Sequence, residues 1–385
     1  MIRLTLAAVI AATAALFALW RPLRRSLWWY SESDAYQLWV LAMTLLVGWT
    51  LVRSSQRQRW FWAGALGAIL AGLGLLFHHA IVARTPGDLL LNLLRGARRR
   101  LRGETVYDLQ GLAQSVNPSP FVILLYLPLA PLSDGQATVA QLALSALALL
   151  LYLFAAEQRF RAVAVDSDTL SRLSAALTLV TTFFCWQRSI RLGQLDTILA
   201  GVLLLALVWL AEQRPWRQRL AAVALAFAAA LKLAPSLLLA PLGLRWLRGI
   251  KEGTPEARSL RRPLLWAAGA LLIFAAAGAG TVGGTELGRF TENLSKISQG
   301  TTSGNNYALV ARVATYGDVT LRSGHRPLPR RALRWGLGLR VVTLGLLVAA
   351  TLVWSGASLQ LLLALWLATL PLLSPICWDI YFIWC

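Results

Sequence analysis

Charged residues are scarce in this sequence, and acidic residues are the scarcer of the two signs. Only 14% of the 385 residues are charged, and 37 lysines and arginines stand against 17 aspartates and glutamates. Hydrophobic residues make up 57% of the chain, a share too high for a soluble domain of this length. The composition excludes a soluble globular protein and predicts an all-α polytopic integral membrane protein.

Cysteine and histidine are also few, with three residues of each type. The cysteines, Cys185, Cys377 and Cys385, are odd in number and lie in or beside apolar segments, so neither a disulfide framework nor a zinc spacing is predicted. His78 and His79 are adjacent and cannot share one helix face as paired metal ligands. We predict no metal site and no cofactor, and the sequence leaves a dependence on divalent metal open.

The net charge of +20 raises the question of nucleic acid, but its distribution favours lipid. The arginines lie in short loops between apolar runs, as the positive-inside bias and anionic headgroups produce. Membrane lipids are therefore expected partners, and nucleic acid is not. The densest basic loops, at 53–59, 214–219 and 245–262, should be cytoplasmic, which places Asp88 on the outer face of the plasma membrane.

Apolar runs long enough to cross a membrane recur along the whole chain. The predicted spans are 4–20, 36–52, 61–83, 119–133, 136–156, 169–186, 195–211, 220–246, 264–280, 335–354 and 358–375. We divide them into additional N-terminal helices at 1–60 and a transmembrane core at 61–385. The chain stops within an apolar run, which predicts that one or more further helices follow in a longer protein.

The span 220–246 carries Lys232 and Pro235 in its middle and basic loops at both ends. A single crossing cannot place both loops in the cytoplasm, and proline cannot continue the backbone ladder of a helix. We therefore predict a broken hairpin that lines a polar cavity. Because Lys232 has no acidic neighbour in sequence, we expect a lipid phosphate as its anion, with snorkelling to the interface as the alternative.

Two further polar stretches open helices, where polar groups at membrane depth are functional candidates. Asp88 precedes a basic amphipathic helix at 89–102, and it is either the N-cap of that helix or a catalytic carboxylate. Gly193, Gln194 and Asp196 open an apolar helix. There the glycine permits close approach of backbone to a ligand, and Asp196 is either a cap or part of a site.

Two more polar stretches lie late in the chain. Asn305 and Asn306 precede a short apolar helix that carries Arg312, and they either cap it or bind sugar. Trp378 and Asp379 follow a proline near the predicted membrane edge. An aromatic belt explains the tryptophan but leaves the aspartate unexplained.

Taken in order, these stretches resemble glycosyltransferase family 87, the polyprenyl-phosphate-dependent mannosyltransferases of the C superfamily of membrane glycosyltransferases. The likeness covers most of residues 61–382. Its motifs are an aspartate after the first core helix, a Gly and a Tyr-Asp pair, a proline-rich helix start, Gly-Gln-x-Asp, Lys-x-x-Pro, an asparagine-rich loop and Ser-Pro-x-x-Trp. The matching positions are Asp88, Gly103, Tyr107, Asp108, 117–128, Gly193, Gln194, Asp196, Lys232, Pro235, Gly304, Asn305, Asn306, Ser374, Pro375 and Trp378.

The resemblance implies a transmembrane bundle of the C-superfamily type with an amphipathic helix in its first core outer loop. It also implies an inverting enzyme that moves a hexose, with mannose as first choice, from a polyprenyl phosphate to a lipid or glycan acceptor on the outer face. Asp88 is the implied general base, and Lys232, Arg312 and Arg191 are the candidate ligands of the donor phosphate. The candidate substrate-binding residues are Tyr107, Asp108, Gln194, Asp196, Asn305, Asn306, Trp378 and Asp379.

Two other functions fit parts of the same pattern. A carrier or lipid flippase would also contain broken helices and buried charge, but it predicts paired breaks in two similar halves, and only the break at Lys232 is clear. An enzyme of the same architecture with another substrate, such as a polyprenyl-phosphate arabinose donor or a lipid-linked glycan to be ligated, fits the same residues.

Overall fold

The computed structural model describes residues 89–107, 118–163, 189, 193–212, 214–298, 329–354 and 358–373. All of these lie in one compact unit, and every regular element among them is helical. Three of the described helices are long and apolar enough to cross a membrane: Asp134–Tyr152, Ala257–Val282 and Arg330–Val353. The prediction of an all-α integral membrane protein is confirmed.

Several predicted features lie outside the described residues. These are the N-terminal helices at 1–60, the adjacent histidines, the spans 61–83 and 169–186, and the chain beyond 373. The division at residue 60 therefore stays a prediction.

The described α-helices are numbered in chain order. They are α1 (Arg95–Leu101), α2 (Pro120–Tyr126), α3 (Asp134–Val163), α4 (Asp196–Leu210), α5 (Pro215–Leu231), α6 (Leu239–Glu252), α7 (Pro255–Val282), α8 (Gly284–Ser298), α9 (Arg330–Val353) and α10 (Leu359–Leu373). A π-helical turn, Leu89–Leu94, precedes α1, and 3₁₀ turns lie at Leu127–Leu129 and Ala234–Leu238.

The basic stretch after Asp88 is helical, as predicted, and its arginines bind protein groups. The guanidinium of Arg98 donates to the carbonyls of Ala130 at 3.1 Å and Leu132 at 2.9 Å, and it pairs with Asp134 at 2.7 Å. This fastens α1 to the turn between α2 and α3. That the helix lies amphipathically in the membrane interface stays a prediction.

The span predicted at 119–133 is not one helix. Ser119 caps α2 by accepting a hydrogen bond from the Val122 amide, and α2 ends after only seven residues. Pro128 then lies in the 3₁₀ turn, because proline lacks the amide that would continue the α-helical ladder. The count of crossings from the sequence requires one broken or interfacial segment between 119 and 193 without showing which, and the interruption at Pro128 fits 119–133.

The predicted break within 220–246 is confirmed. Helix α5 ends at Leu231, and Lys232 then adopts an extended backbone with φ −140° and ψ 136°. The 3₁₀ turn that contains Pro235 leads into α6. Helix α7 packs along both α5 and α6. The cytoplasmic placement of both flanking loops stays a prediction.

Close helix packing surrounds α5, which lies between α4 and α7, while α4 also packs on α3. Small residues permit these approaches. A Cβ at Gly201 of α4 would lie 2.4 Å from the Ala148 carbonyl oxygen of α3, and one at Gly278 of α7 would lie 2.6 Å from the Phe121 amide nitrogen of α2. The bundle therefore brings α2, α4 and the broken end of α5 together.

The segment between the predicted spans 264–280 and 335–354 begins with helix α8. Phe290 of α8 packs against Tyr107, with ring centroids 5.3 Å apart, in a cluster with Ile123 and Val282. Residues 299–328 lie outside the described part of the chain.

Candidate active site

An ion pair lies at the break after α5. The Nζ atom of Lys232 is 2.8 Å from both Oδ1 and Oδ2 of Asp196. The side chain of Asp196 is fully buried, whereas that of Lys232 is 26% exposed. The expectation of a lysine without an acidic partner is corrected, because the carboxylate comes from the start of α4, 36 residues earlier.

The position of Asp196 explains how a buried carboxylate is tolerated. It is the first residue of α4, and the N-cap is Leu195. Asp196 therefore does not cap α4, which was one of its two predicted roles. The positive end of the helix dipole favours a carboxylate in the first turn. Since both oxygens accept from the ammonium, Asp196 is suited to hold Lys232 in place rather than to take a proton.

The turn before α4 needs its glycine. Gly193 has a φ of +65°, a left-handed backbone conformation that residues with a Cβ rarely adopt. A Cβ built there would lie 2.6 Å from the Cβ of Leu89. Close approach of a ligand at Gly193 stays a prediction; the group that a Cβ there would meet is Leu89, which directly follows Asp88 in the chain. The absence of a side chain at Gly193 thus lets the Gly-Gln turn pack against Leu89, at the start of the basic stretch.

Gln141 of α3 fixes the same turn and was missed by the sequence interpretation. Its Nε2 donates to the carbonyls of Gly193 at 3.3 Å and Gln194 at 3.4 Å, and its Oε1 accepts from the Tyr126 hydroxyl at 2.6 Å. Gln141 is almost completely buried. Burying a glutamine side chain in an apolar helix is unfavourable unless its amide forms hydrogen bonds. An isolated glutamine in an apolar run is therefore the sequence signal that points to such a residue.

Three hydroxyl residues also support the site and were missed. Ser119 donates from Oγ to the carbonyl of Ala230, at the end of α5, over 2.5 Å. Ser189 and Thr197 are joined through their hydroxyls at 2.8 Å, and the Gln194 amide donates to the Ser189 carbonyl at 2.9 Å. These bonds fix both sides of the Lys232–Asp196 pair.

Tyr107, predicted to contact substrate, is fully buried. Its hydroxyl donates to the Pro118 carbonyl at 3.0 Å, and its amide and that of Val106 both donate to Oε2 of Glu286 at 2.9 Å. Burial, aided by the negative charge of Glu286, raises the pKa of the Tyr107 phenol far above its ordinary value. This geometry favours a structural role, and substrate contact by Tyr107 stays a prediction.

The structure places four of the predicted site residues among those it describes, namely Tyr107, Gln194, Asp196 and Lys232. Gln194, Asp196 and Lys232 lie together at the α5 break. The other predicted site residues lie outside the described part of the chain: Asp88, Asp108, Arg191, Asn305, Asn306, Arg312, Trp378 and Asp379. Within the described ranges, no group of three or more histidine, cysteine or acidic residues is placed to hold a metal ion.

Comparison with known families identifies the chain. The family model described as "Glycosyltransferase family 87" matches residues 119–375, more than half of the chain. The match includes the Gly-Gln turn and both residues of the Lys232–Asp196 pair, begins after Asp88 and ends before Trp378. No curated protein and no solved structure matches the chain with significant similarity.

Proposed function

The chain belongs to glycosyltransferase family 87, and from this membership we propose a donor, an acceptor and a side of the membrane. Membership makes the chain a membrane glycosyltransferase, an enzyme rather than a carrier or flippase, with a sugar donor and an acceptor as substrates. The donor in our proposal is a polyprenyl phosphate hexose, with mannose as first choice. The acceptor is a lipid or glycan at the outer face of the plasma membrane.

The observation that carries this proposal is the Lys232–Asp196 pair. A phosphate leaving group needs a fixed cation where its charge increases. Lys232 supplies an ammonium whose position is set by a fully buried carboxylate while a quarter of its side chain remains exposed. An ammonium is a compact charge with three donor hydrogens, the form in which lysine binds phosphate.

The proposed reaction is a single displacement. The oxygen of an acceptor hydroxyl attacks the anomeric carbon while the bond between that carbon and a phosphate oxygen breaks. The electron pair of that bond leaves with the polyprenyl phosphate, which gains one negative charge, and the hydroxyl proton passes to the carboxylate of Asp88. The configuration at the anomeric carbon is inverted, and no covalent enzyme intermediate forms.

Further residues complete the proposed site. Lys232, with Arg312 and Arg191, offsets the charge on the departing phosphate. Gln194, Asn305, Asn306 and Asp379 supply hydrogen bonds to sugar or acceptor in this proposal, and Trp378 supplies an apolar face. Asp108 and Tyr107 close the basic stretch that follows Asp88.

The test uses purified protein in lipid nanodiscs, labelled polyprenyl-phosphate mannose and a membrane lipid extract. We expect label to move to an acceptor lipid with inverted configuration. Replacing the donor by polyprenyl-phosphate arabinose tests the alternative sugar. Transfer from a nucleotide sugar, with none from any polyprenyl phosphate sugar, would overturn the proposed donor.

The variant Asp88→Asn tests the general base in the same assay. Asparagine caps helices about as well as aspartate, so a capping role alone predicts normal stability and normal turnover. A general base predicts normal stability with transfer slowed by ~10²–10⁴. Near-normal turnover of the folded variant would rule out the assignment.

Orientation is tested by single cysteines in a background that lacks Cys185, Cys377 and Cys385. Ser295 on α8 and Ser259 on α7 are both exposed. We expect an impermeant reagent added outside the cell to label Ser295→Cys and to miss Ser259→Cys. The reverse pattern would place the proposed site on the cytoplasmic side and overturn the outer-face proposal.

A further inference from the structure

Helix α9 begins with a cluster of exposed basic side chains. Arg330, Arg331 and Arg334 are exposed, and the ring of Trp335 is 81% exposed. Among the residues that the structure describes, none of the three arginines forms an ion pair. We call these four side chains the α9 basic patch. In the helix they fall within one broad face, since positions three and four apart lie side by side.

The other end of α9 is fixed beside the turn between α6 and α7. Arg248 of α6 donates to the carbonyl of Leu352, and Nη2 of Arg245 donates to that of Trp354 at 3.3 Å. Helix α9 has 24 residues, a length of about 36 Å, which exceeds the ~30 Å hydrocarbon core of a bilayer. With α9 crossing the membrane, the α9 basic patch lies at the surface opposite the turn between α6 and α7, whose flanking residues within 245–262 are basic.

This placement conflicts with the usual distribution of charge. Under the proposed orientation the turn at 245–262 is cytoplasmic, so the α9 basic patch lies at the outer surface, where lysine and arginine are disfavoured. Three exposed arginines on that side are suited to bind an anionic ligand. Trp335 beside them is the residue type that anchors at the level of the headgroups.

The face of α9 that follows the patch along the helix is apolar and exposed. Val341, Val342 and Leu346 are 62%, 58% and 66% exposed. The main helix contacts of α9 are with α6 and α10, which leaves the rest of its circumference uncovered by the described helices. A ligand that fits both parts has an anionic head at the membrane surface and a long apolar chain in the hydrocarbon.

We propose that the α9 basic patch docks the phosphate of the polyprenyl phosphate donor as it arrives through the outer leaflet, with the prenyl chain along the apolar face of α9. This inference rests on the proposed donor and orientation. It concerns arrival of the lipid, whereas Lys232 acts on the phosphate during transfer. The docking surface recognises a phosphate monoester or diester on a lipid.

The experiment maps where a photoreactive decaprenyl phosphate attaches to purified protein in phosphatidylcholine nanodiscs. The label on the peptide containing residues 330–346 is measured against probe concentration, which gives an apparent Kd at this surface. The test variant is R330Q/R331Q/R334Q. The matched control is R258Q/R261Q/R262Q, which neutralises three exposed arginines of α7 at the other membrane surface.

We expect roughly 100-fold weaker labelling affinity in the test variant, about fivefold for each arginine lost near an anionic lipid. The control variant should keep the wild-type affinity. The variant R330K/R331K/R334K keeps the charges and should recover most of the affinity, which separates loss of charge from loss of folding.

Three results would overturn the docking surface: unchanged affinity in the test variant, an equal loss in the control, or full displacement of the probe by an equal amount of phosphatidylglycerol. The last result would mean that the patch binds any anionic lipid. Labelling needs no sugar transfer, so binding of a polyprenyl phosphate at the patch and the identity of the sugar donor are decided by separate results.

Discussion

Two ion clusters join distant parts of this chain, and they use their charges differently. In one, Lys232 and Asp196 connect the break after α5 to the start of α4. In the other, Glu286 of α8 accepts from the amides of Val106 and Tyr107. The second cluster also includes Arg289, whose Nη1 is 2.6 Å from Oε1 of Glu286.

The two clusters differ in what surrounds each charged side chain. The Glu286 carboxylate binds two backbone amides and one guanidinium, so its charge is used to hold a loop. In the first cluster the carboxylate is fully buried, while the lysine side chain that it holds is 26% exposed. A fixed and partly exposed cation can act on an anionic substrate. The first cluster is therefore suited to chemistry and the second to structure.

The largest expected effect comes from Lys232→Met. It leaves the buried carboxylate of Asp196 without its cation, which should lower the free energy of unfolding by about 3–5 kcal/mol. Chemical denaturation in detergent or nanodiscs measures this. The exposed Lys251 is a matched control, because Lys251→Met should change stability by less than ~0.5 kcal/mol. Equal stability of Lys232→Met and wild type would contradict the pair.

From the sequence, a pure phosphate ligand predicts that Lys232→Met leaves the empty protein as stable or more stable. A pair with Asp196 or Asp379 predicts lower stability and a structural role, and the structure shows the pair with Asp196. The break itself was predictable, because Pro235 and a charged residue interrupt an apolar run. The sequence offered Asp196 and Asp379 as possible partners, and the pairing with Asp196 depends on how α4 packs against α5. No local pattern links residues 36 positions apart.

The second expected effect concerns Glu286→Ala. It removes the acceptor of the Val106 and Tyr107 amides, and leaving such groups without a partner costs about 1–3 kcal/mol. Hydrogen exchange should become faster at those two amides. Glu292 lies exposed on the same helix, and Glu292→Ala should leave that exchange unchanged. Unchanged exchange in Glu286→Ala would show that the carboxylate does not hold this loop.

A smaller effect is expected for Ser119→Ala, which tests how the α5 break is supported. The serine caps α2 and donates to the carbonyl of Ala230, so its loss should cost about 0.5–2 kcal/mol. Ser145 is a control, since its buried hydroxyl has no hydrogen-bond partner among the described groups. Ser145→Ala should be neutral or stabilising. A larger loss for Ser145→Ala than for Ser119→Ala would contradict this account.

The smallest effect is expected for Tyr107→Phe, which removes one hydrogen bond worth about 0.5–1.5 kcal/mol. The folded pKa of Tyr107 is raised by burial and by Glu286. Its contribution to stability is therefore full below the unfolded pKa of about 10 and is lost as pH rises above it toward the folded pKa. Stability measured from pH 8 upward should fall less steeply in Tyr107→Phe. An unchanged slope would show that the phenol ionises normally.

The sequence predicted the helical membrane class and the family, because composition and short motifs carry that information, whereas the roles of the site residues stay predictions. It missed Gln141 and Ser119, because the sequence does not reveal the hydrogen-bond partner of a single polar residue in an apolar segment. It required one broken or interfacial segment between 119 and 193 but could not show that 119–133, where Pro128 follows the early end of α2, is interrupted. Hydropathy reports the solvent around a segment, whereas the course of the backbone depends on single residues such as this proline.

In our proposal Lys232 acts on the donor phosphate and is not only the partner of Asp196. The double variant Asp196→Asn/Lys232→Met tests it, because removing both charges relieves the buried carboxylate and should restore much of the stability that Lys232→Met loses.

The decisive measurement is transfer of labelled mannose from polyprenyl-phosphate mannose by this double variant and by wild type, at matched amounts of folded protein. The account predicts that the double variant is stable, yet transfers at least about tenfold more slowly, because a charged hydrogen bond to the phosphate is worth about 1.5–3 kcal/mol. Transfer at the wild-type rate by the stable double variant would contradict it and leave the pair a structural one.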